Sequence, residues 1–346
     1  MTQRLPYEDL DFIVRRTLDL WEEMRGQSVF LTGGTGFFGV WLLESLQAAN
    51  RASGLGVQAT ILTRNPEAFR LVRPHLAMDP AITLLRGDVR HFSFPEGRFK
   101  YVIHAATDTW AREGSGGAVG LLGTILGGTE RVLQFAAAHG TEKLLFTSSG
   151  AVYGQQPAQM THIDEDYQGA PDPLRPASSY GEGKRAAEAL CVAYGARYGF
   201  ACKIARCFAF VGPLLPLNQH FAIGNFIRDA LRGEAICIQG DGTARRSYMY
   251  AADLARWLWT LLMLAPGGEA YNVGSAQSAS ILELANLVRD VLGSRAEIRV
   301  AQAAVPGALA HQYVPSIQKA EQQFGLRCDV LLDEAVRKTA RFYRWK

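Results

Sequence analysis

Apolar positions recur with two different spacings along this chain. Between residues 7 and about 25 they fall at Leu10, Ile13, Val14, Leu18, Trp21 and Met24. That is the interval of a helix burying one stripe, so an amphipathic helix is expected ahead of the main fold, packed on its surface or kept for a partner. From Ser28 the spacing changes. SVFLT (28–32) is a short apolar run of strand type, followed at once by a Gly-rich turn and then by VWLLESLQ (40–47), which reads as a helix. Further strands are expected at VQATILT (57–63), AITLL (81–85), YVIHAA (101–106), KLLFTSS (143–149) and ACKIARCF (201–208), with helices over 118–139 and 180–198. Short apolar strands alternating with helices predict an α/β fold with a doubly wound parallel sheet covered on both faces.

After Phe208 the alternation weakens. Pro213 and Pro216 mark a long loop, and smaller elements follow at ICIQGDG (236–242), ADLARWLWTLLML (252–264) and ILELANLVRDVL (281–292). The expected organisation is a helical extension over 1–26, a sheet domain over 27–208, and a smaller lobe made mainly of 209–346, its boundary interleaved with the sheet.

Composition narrows the function. Of 346 residues, 48% are hydrophobic and 20% charged, a globular balance that excludes bulk disorder. With 36 Lys and Arg against 33 Asp and Glu, the net charge of +3 leaves no nucleic-acid footprint. The five cysteines, Cys191, Cys202, Cys207, Cys237 and Cys328, have no metal-knuckle spacing and are odd in number. Neither a zinc site nor a disulfide framework is expected, and a reducing compartment fits. Glu8, Asp9, Asp11, Arg15 and Arg16 stand where a signal peptide would need an apolar run. No stretch is apolar enough for a membrane span. The expectation is a cytoplasmic protein with no metal.

The turn after the first strand reads Thr32-Gly33-Gly34-Thr35-Gly36-Phe37-Phe38-Gly39. Glycines at 33, 36 and 39 let the backbone turn tightly and approach a pyrophosphate, and the following helix offers its free N–H groups. The strand–turn–helix context gives the motif its weight. At the end of the second strand, where a carboxylate would hold the ribose hydroxyls of NAD, the chain has Thr63 and Arg64. Arg64 suits a 2′-phosphate, so NADP is expected ahead of NAD. Asp88 in RGDV could accept from the adenine amino group or cap a turn.

Tyr180 and Lys184 are four residues apart and share a helix face. A tyrosine titrates near pH 10, and lowering it by roughly 3 units takes about 4 kcal/mol, within reach of two nearby cations in a partly dry site. Ser149 ends the fifth strand, and ligand sites in a doubly wound sheet lie at the C-terminal ends of strands. The set suits hydride transfer at a carbinol, with Tyr180 as acid and base and Ser149 orienting the oxygen.

Together these segments resemble the extended short-chain dehydrogenase/reductases of the nucleotide-sugar epimerase/dehydratase family. The matching motifs are TGGTGFFG, RGDV, VIHAA, TSSGAVYG, YGEGK, GDGTARRSY with Asp253, and YNVG, in the family's order from about 28 to 275. The resemblance implies a Rossmann-type sheet, a nucleotide-diphosphate sugar as substrate, and a homodimer through the helices near 118–138 and 180–198. It implies Ser149, Tyr180 and Lys184 as the catalytic set, with Lys184 also touching the nicotinamide ribose. Gly33, Gly36 and Gly39 would hold the pyrophosphate, with Phe37 and Phe38 in the same turn. Asp88 and Val89 would flank adenine, and Ala105 and Ala106 would pass close to the cofactor. Asn225 and Arg246 match positions that hold the sugar nucleotide's diphosphate, Arg245 being the rival for the second.

Three positions depart from the family pattern. Ile125 stands where an Asn is frequent, with Thr124 as a possible substitute. Gly150 and Ala151 stand where the 4,6-dehydratases carry Asp-Glu and the decarboxylases tend to keep a Glu. Ala209 follows the RxF segment where an Asn is frequent. The second departure disfavours dehydration and decarboxylation. The expected activity is a nucleotide-sugar 4-epimerase, with an NADPH-dependent 4-ketosugar reductase as alternative. A non-catalytic sensor is opposed by the intact Tyr180 and Lys184. Cys207 is expected as a small buried residue, His104 as a structural hydrogen-bonder, and Asp164, Glu165 and Asp166 as a solvated loop.

Overall fold

A computed structural model describes residues 3–107, 116–219 and 221–344. Its main element is a seven-stranded sheet. In chain order the strands are β1 (Ser28–Thr32), β2 (Gln58–Thr63), β3 (Ile82–Arg86), β4 (Tyr101–His104), β5 (Lys143–Ser149), β6 (Ala201–Cys207) and β7 (Ala270–Val273). Their spatial order is β7-β6-β5-β4-β1-β2-β3. The pairs β1–β2, β2–β3, β1–β4 and β4–β5 all run parallel. Val29, Phe30 and Leu31 are at most 2% exposed, which is why β1 is a continuous apolar run and not an alternating one. The order reverses between β1 and β4, so the crevice beyond Thr32 and His104 is the switch point at which doubly wound sheets take ligands.

The chain divides into two compact units: residues 1–154, 170–206 and 255–271 form the first, and 155–169, 207–254 and 272–346 the second. The first contains α1 (Tyr7–Arg16), α2 (Phe37–Ser53), α3 (Gly117–Ala138) and α4 (Ser179–Tyr198). Beneath α3 and α4 lies a core of Phe30, Ile125, Phe135, Phe146, Ala187 and Cys191. The helix expected over 252–264 is Ala251–Leu264. From Ala255 on, its residues belong to the first unit and not to the C-terminal lobe. Its apolar side chains are buried except that of the last residue, Leu264, and Trp259 Nε1 donates to Ser45 Oγ at 2.9 Å.

Two further expectations are corrected. The N-terminal helix is not continuous: α1 ends at Arg16, a separate single turn of α-helix covers Leu18–Trp21 and a 3-10 turn covers Glu22–Met24. The Thr17 hydroxyl donates to the Ile13 carbonyl at 2.6 Å, the back-bonding by which Thr competes with the helix ladder. Ile13, Trp21 and Met24 are nonetheless buried, with Trp21 edge-on to Trp259 at 5.0 Å. The extension is thus packed on the first unit. The second correction is β7, which the strand pattern did not reveal. It is short and bracketed by Gly267, Gly268 and Gly274, yet joins β6 through Ile204 N to Glu269 O and Phe208 N to Val273 O, both 3.0 Å.

In the second unit, a three-stranded sheet has the order Ser278–Ser280, Arg245–Ser247, Gln312–Tyr313. The helix Ile281–Val291 starts with a capping box of Ser280 and Glu283. Buried Asp253 accepts from the amides of Asp329 and Val330, both at 3.1 Å. In the acidic trio, Glu165 is not simply solvated, because it accepts from the Asn272 amide at 2.7 Å. Among the described residues no helix is long and apolar enough to cross a membrane, and no cluster of three or more His, Cys, Asp or Glu could hold a metal.

Candidate active site

The three motif glycines have different surroundings. Gly33 has φ +73°, and a Cβ there would lie 2.5 Å from the Ala105 carbonyl oxygen. At Gly39 it would lie 2.3 Å from the Gly34 Cα. Those two glycines close the turn and seat α2 on β1. Gly36 is exposed, and its Cβ would meet only the Gly33 oxygen at 3.4 Å. It is also the N-cap of α2, with no side chain capping the first turn. An open glycine next to uncapped N–H groups fits a pyrophosphate. Phe37 and Phe38 open the helix, half-buried, with ring centroids 5.9 Å apart.

The turn after β4 is fastened to the same place. Ala105 N donates to Thr32 O at 3.2 Å, and Ala106 N to Thr32 Oγ1 at 3.1 Å. His104 Nδ1 lies 2.7 Å from Thr32 Oγ1, and its Nε2 lies 3.1 Å from Thr129 Oγ1. Burial, and then the nearby Lys184 ammonium, push the imidazole pKa down to about 3. His104 is therefore neutral, a structural tie between β1, β4 and α3.

Ser149, Tyr180 and Lys184 all lie in the first unit. Lys184 is 2% exposed. Its Nζ donates to Thr147 O and Thr107 Oγ1, each at 2.7 Å, and Thr107 in turn donates to Ala106 O at 2.8 Å. The ammonium lies 4.6 Å from the Phe146 ring centroid and 6.0 Å from that of Tyr180. Ser149 is 6% exposed and caps the 3-10 turn Gly150–Tyr153, its Oγ accepting from Ala151 N at 3.2 Å. The start of α4 is laid on that turn at Gly181, where a Cβ would lie 2.6 Å from Ala151 O.

One cluster here was not foreseen. Glu188 continues the α4 face of Tyr180 and Lys184 by one more turn and is 8% exposed. Its Oε1 accepts from Ser148 Oγ at 2.5 Å and Arg206 Nε at 3.1 Å, and its Oε2 from Arg206 Nη2 at 2.8 Å. Arg206 Nη1 donates to Tyr153 Oη at 3.0 Å. The carboxylate, despite desolvation of the site, holds the guanidinium firmly charged. The only advance signal was the recurrence of polar positions every fourth residue, which in a helix ordinarily means a solvated face.

Other expected residues have distinct environments. Arg64 is exposed at the end of β2 beside buried Thr63. Glu67 on the following helix pairs with Arg86 and Arg70. Asp88 is engaged by Arg90, Nε to Oδ1 at 2.8 Å and N to Oδ1 at 3.0 Å, and the Arg90 hydrogen bond lowers its pKa. A contact with adenine would use its remaining lone pairs. Val89 packs against Gly128, whose Cβ would meet it at 2.8 Å. Ile125 is buried beside Gly183, and Thr124 donates to Gly120 O at 2.9 Å within its own helix. In the second unit, Asn225 Oδ1 accepts from Arg228 at 3.0 Å. Arg245 is tied to Ser278 and Glu283, while Arg246 lies over the Tyr313 ring at 5.8 Å and donates to Arg245 O. Successive strand residues face opposite ways, so the two arginines cannot share one task.

Comparison with known proteins agrees with this geometry. A model of the NAD dependent epimerase/dehydratase family matches residues 29–274. UDP-glucuronic acid decarboxylase 6 of Arabidopsis thaliana is 30% identical over 309 residues, 89% of this chain and 86% of that protein. UDP-glucuronic acid decarboxylase 1 of Xenopus tropicalis is 29% identical over 316 residues, 91% of this chain and 72% of that protein. In fold, the chain matches a solved UDP-glucuronic acid 4-epimerase from Bacillus cereus at TM-score 0.76 and 22% identity, covering 92% of this chain and 99% of that one. With a phosphate-type turn at the switch point, a Tyr–Lys helix beside it and a family model spanning both, the chain belongs to the NAD dependent epimerase/dehydratase family, as an enzyme of the extended short-chain dehydrogenase/reductase type.

Proposed function

We propose that this chain inverts C4 of a nucleotide-linked sugar. Gly33, Gly36, Gly39 and the start of α2 would hold a nicotinamide dinucleotide, which when bound supplies a hydride acceptor and donor. Tyr180 would move the proton of the reacting hydroxyl, and Ser149 would orient its oxygen. The Lys184 ammonium, fixed by Thr107 and Thr147, favours the phenolate.

The observation that carries the reading is the pair Gly150 and Ala151 after Ser149. Oxidation and re-reduction at C4 need one acid/base on one oxygen. Loss of CO2 or water leaves a neighbouring carbon to be protonated, which takes a second acid. Between Ser149 and Gly154 the sole protic side chain is that of Tyr153, 2% exposed and bonded to Arg206. Decarboxylation is the second reading, because relatives 29–30% identical over most of the chain are UDP-glucuronic acid decarboxylases. A 4-ketosugar reductase is favoured by Arg64 alone.

Purified protein incubated with UDP-glucuronic acid and with UDP-glucose separates these. A product of unchanged mass, inverted at C4 by proton NMR, is expected. Release of CO2 from UDP-glucuronic acid would replace epimerisation by decarboxylation, and consumption of NADPH with a 4-keto sugar would point to the reductase. Arg246 and Asn225 as diphosphate ligands belong to the same proposal, as does a homodimer through α3 and α4. Val119 and Val192 on those helices are 82% and 43% exposed, and sedimentation tests the assembly.

A further inference from the structure

No step proposed above uses Glu188, yet its carboxylate is among the most heavily engaged in the first unit. It takes a short bond from Ser148 and a two-point grip from Arg206. Arg206 carries the connection on to Tyr153. Ser148 immediately precedes Ser149, and Tyr153 ends the turn that Ser149 caps. The cluster therefore holds the chain on both sides of Ser149. Its other anchor is α4, the helix of Tyr180 and Lys184. That helix touches the Ser149 turn at Gly181 near its start and, through Glu188, the end of β5 two turns later. Two contacts on either side of Lys184 oppose sliding and rolling of the helix against Ser149.

We propose that Glu188, acting through Ser148 and Arg206, is a positioning residue that sets the placement of Ser149 relative to Tyr180. A carboxylate suits the task because it accepts from a hydroxyl and a guanidinium fork at once, in fixed directions. A buried ion pair is weak evidence for stability in itself, and nothing in general packing calls for one at this point. The proposal rests on the reading that Ser149 and Tyr180 act on one oxygen. It does not depend on which sugar is turned over.

The test compares Glu188→Gln with wild type using NAD⁺ and NADP⁺ in parallel and, as probes, UDP-glucose and UDP-glucuronic acid. A misplacement of about 1 Å costs roughly 100-fold in rate, so kcat is expected to fall about 100-fold while KM stays within about threefold. Deuterium exchange is expected to quicken over 147–153 and 179–190. Lys203→Met is the control, a buried cation on the same strand as Arg206 but bonded elsewhere, to Leu262 O, and it should retain kcat. If Glu188→Gln does not fold, Ser148→Ala removes one hydroxyl from the cluster and is expected to lower kcat about tenfold. A folded variant with wild-type kcat, a change in KM alone, or unaltered exchange would overturn the proposal. Should neither sugar turn over, exchange alone decides. Tyr180→Phe is assayed alongside. Full turnover there sinks the catalytic reading itself, whereas an inactive Tyr180→Phe beside an unaffected Glu188→Gln sinks only the positioning role.

Discussion

Gly181 lies so close to Ala151 that a Cβ on the first would sit 2.6 Å from the carbonyl oxygen of the second. Gly181 follows Tyr180, and Ala151 belongs to the turn capped by Ser149. The contact is where the helix bearing the phenol meets the segment bearing the hydroxyl, and only a residue without a side chain permits it.

Gly181→Ala is therefore expected to push the start of α4 off the turn. Overpacking of this kind costs roughly 1–3 kcal/mol, and the displacement should lower kcat about 10- to 100-fold. Gly183→Ala is the comparison. Its Cβ would meet the Ile125 and Leu122 side-chain ends at 3.1 and 3.2 Å, which can shift, so a smaller loss follows. Kinetics and thermal unfolding of both variants check the order. Equal effects would remove Gly181 from this role.

Thr107, in the segment that follows β4, accepts from the Lys184 ammonium through its hydroxyl, while Thr147 on β5 accepts through its carbonyl. Thr107→Val deletes that acceptor. A less localised ammonium stabilises the Tyr180 phenolate less, so the apparent pKa governing kcat should rise. Turnover at neutral pH should drop about tenfold and recover as pH is raised. Thr107→Ser should behave as wild type. A pH profile of kcat that keeps its position in Thr107→Val counts against this account.

Much of the sheet was legible, because a strand buried on both faces writes a contiguous apolar run. SVFLT and KLLFTSS are β1 and β5 residue for residue. β7 escaped notice because it is short, sits between glycines and owes its place to β6. The break at Thr17 escaped because apolar periodicity registers which face is buried and not whether the ladder is continuous. At the site, the sequence marks chemistry but not engagement. Gly33, Gly36 and Gly39 look alike as letters, and only the fold separates the two that press on backbone from the one that is open. Glu188 looks like any helical glutamate until Ser148 and Arg206 are folded against it.

Lys203 offers a test of pH dependence. It is 1% exposed, and burial, reinforced by the nearby Lys143 ammonium, lowers its pKa to about 7. An unfolded lysine titrates near 10.4. Between those values the unfolded chain binds more protons than the folded one, so stability contributed by this group rises with pH from about 7 to about 10. Below that window both states are protonated and the contribution is at its minimum. Denaturant unfolding across the window should show the rise, and Lys203→Met should flatten it. A slope unchanged in the variant assigns the effect to other groups.

The end of β2 is where the choice between the two dinucleotides is expected to be made. Thr63, Arg64 and Asn65 include no carboxylate, and the nearby Glu67 is occupied by Arg86 and Arg70. A ribose 2′-hydroxyl placed there would meet no carboxylate from these residues, while a 2′-phosphate would meet the exposed Arg64 guanidinium. A charge-assisted contact of this type contributes about 1.5–3 kcal/mol, or roughly 10- to 100-fold in affinity. The wild-type chain is expected to bind NADPH more tightly than NADH by that factor. Arg64→Ala should abolish the difference by weakening NADPH alone, and the preference should shrink as salt is raised, because the pair lies at the surface. Titrations of both cofactors with both proteins read this directly. Equal affinities in the wild type, or tightly retained NAD in the purified protein, would leave Arg64 with no part in cofactor choice.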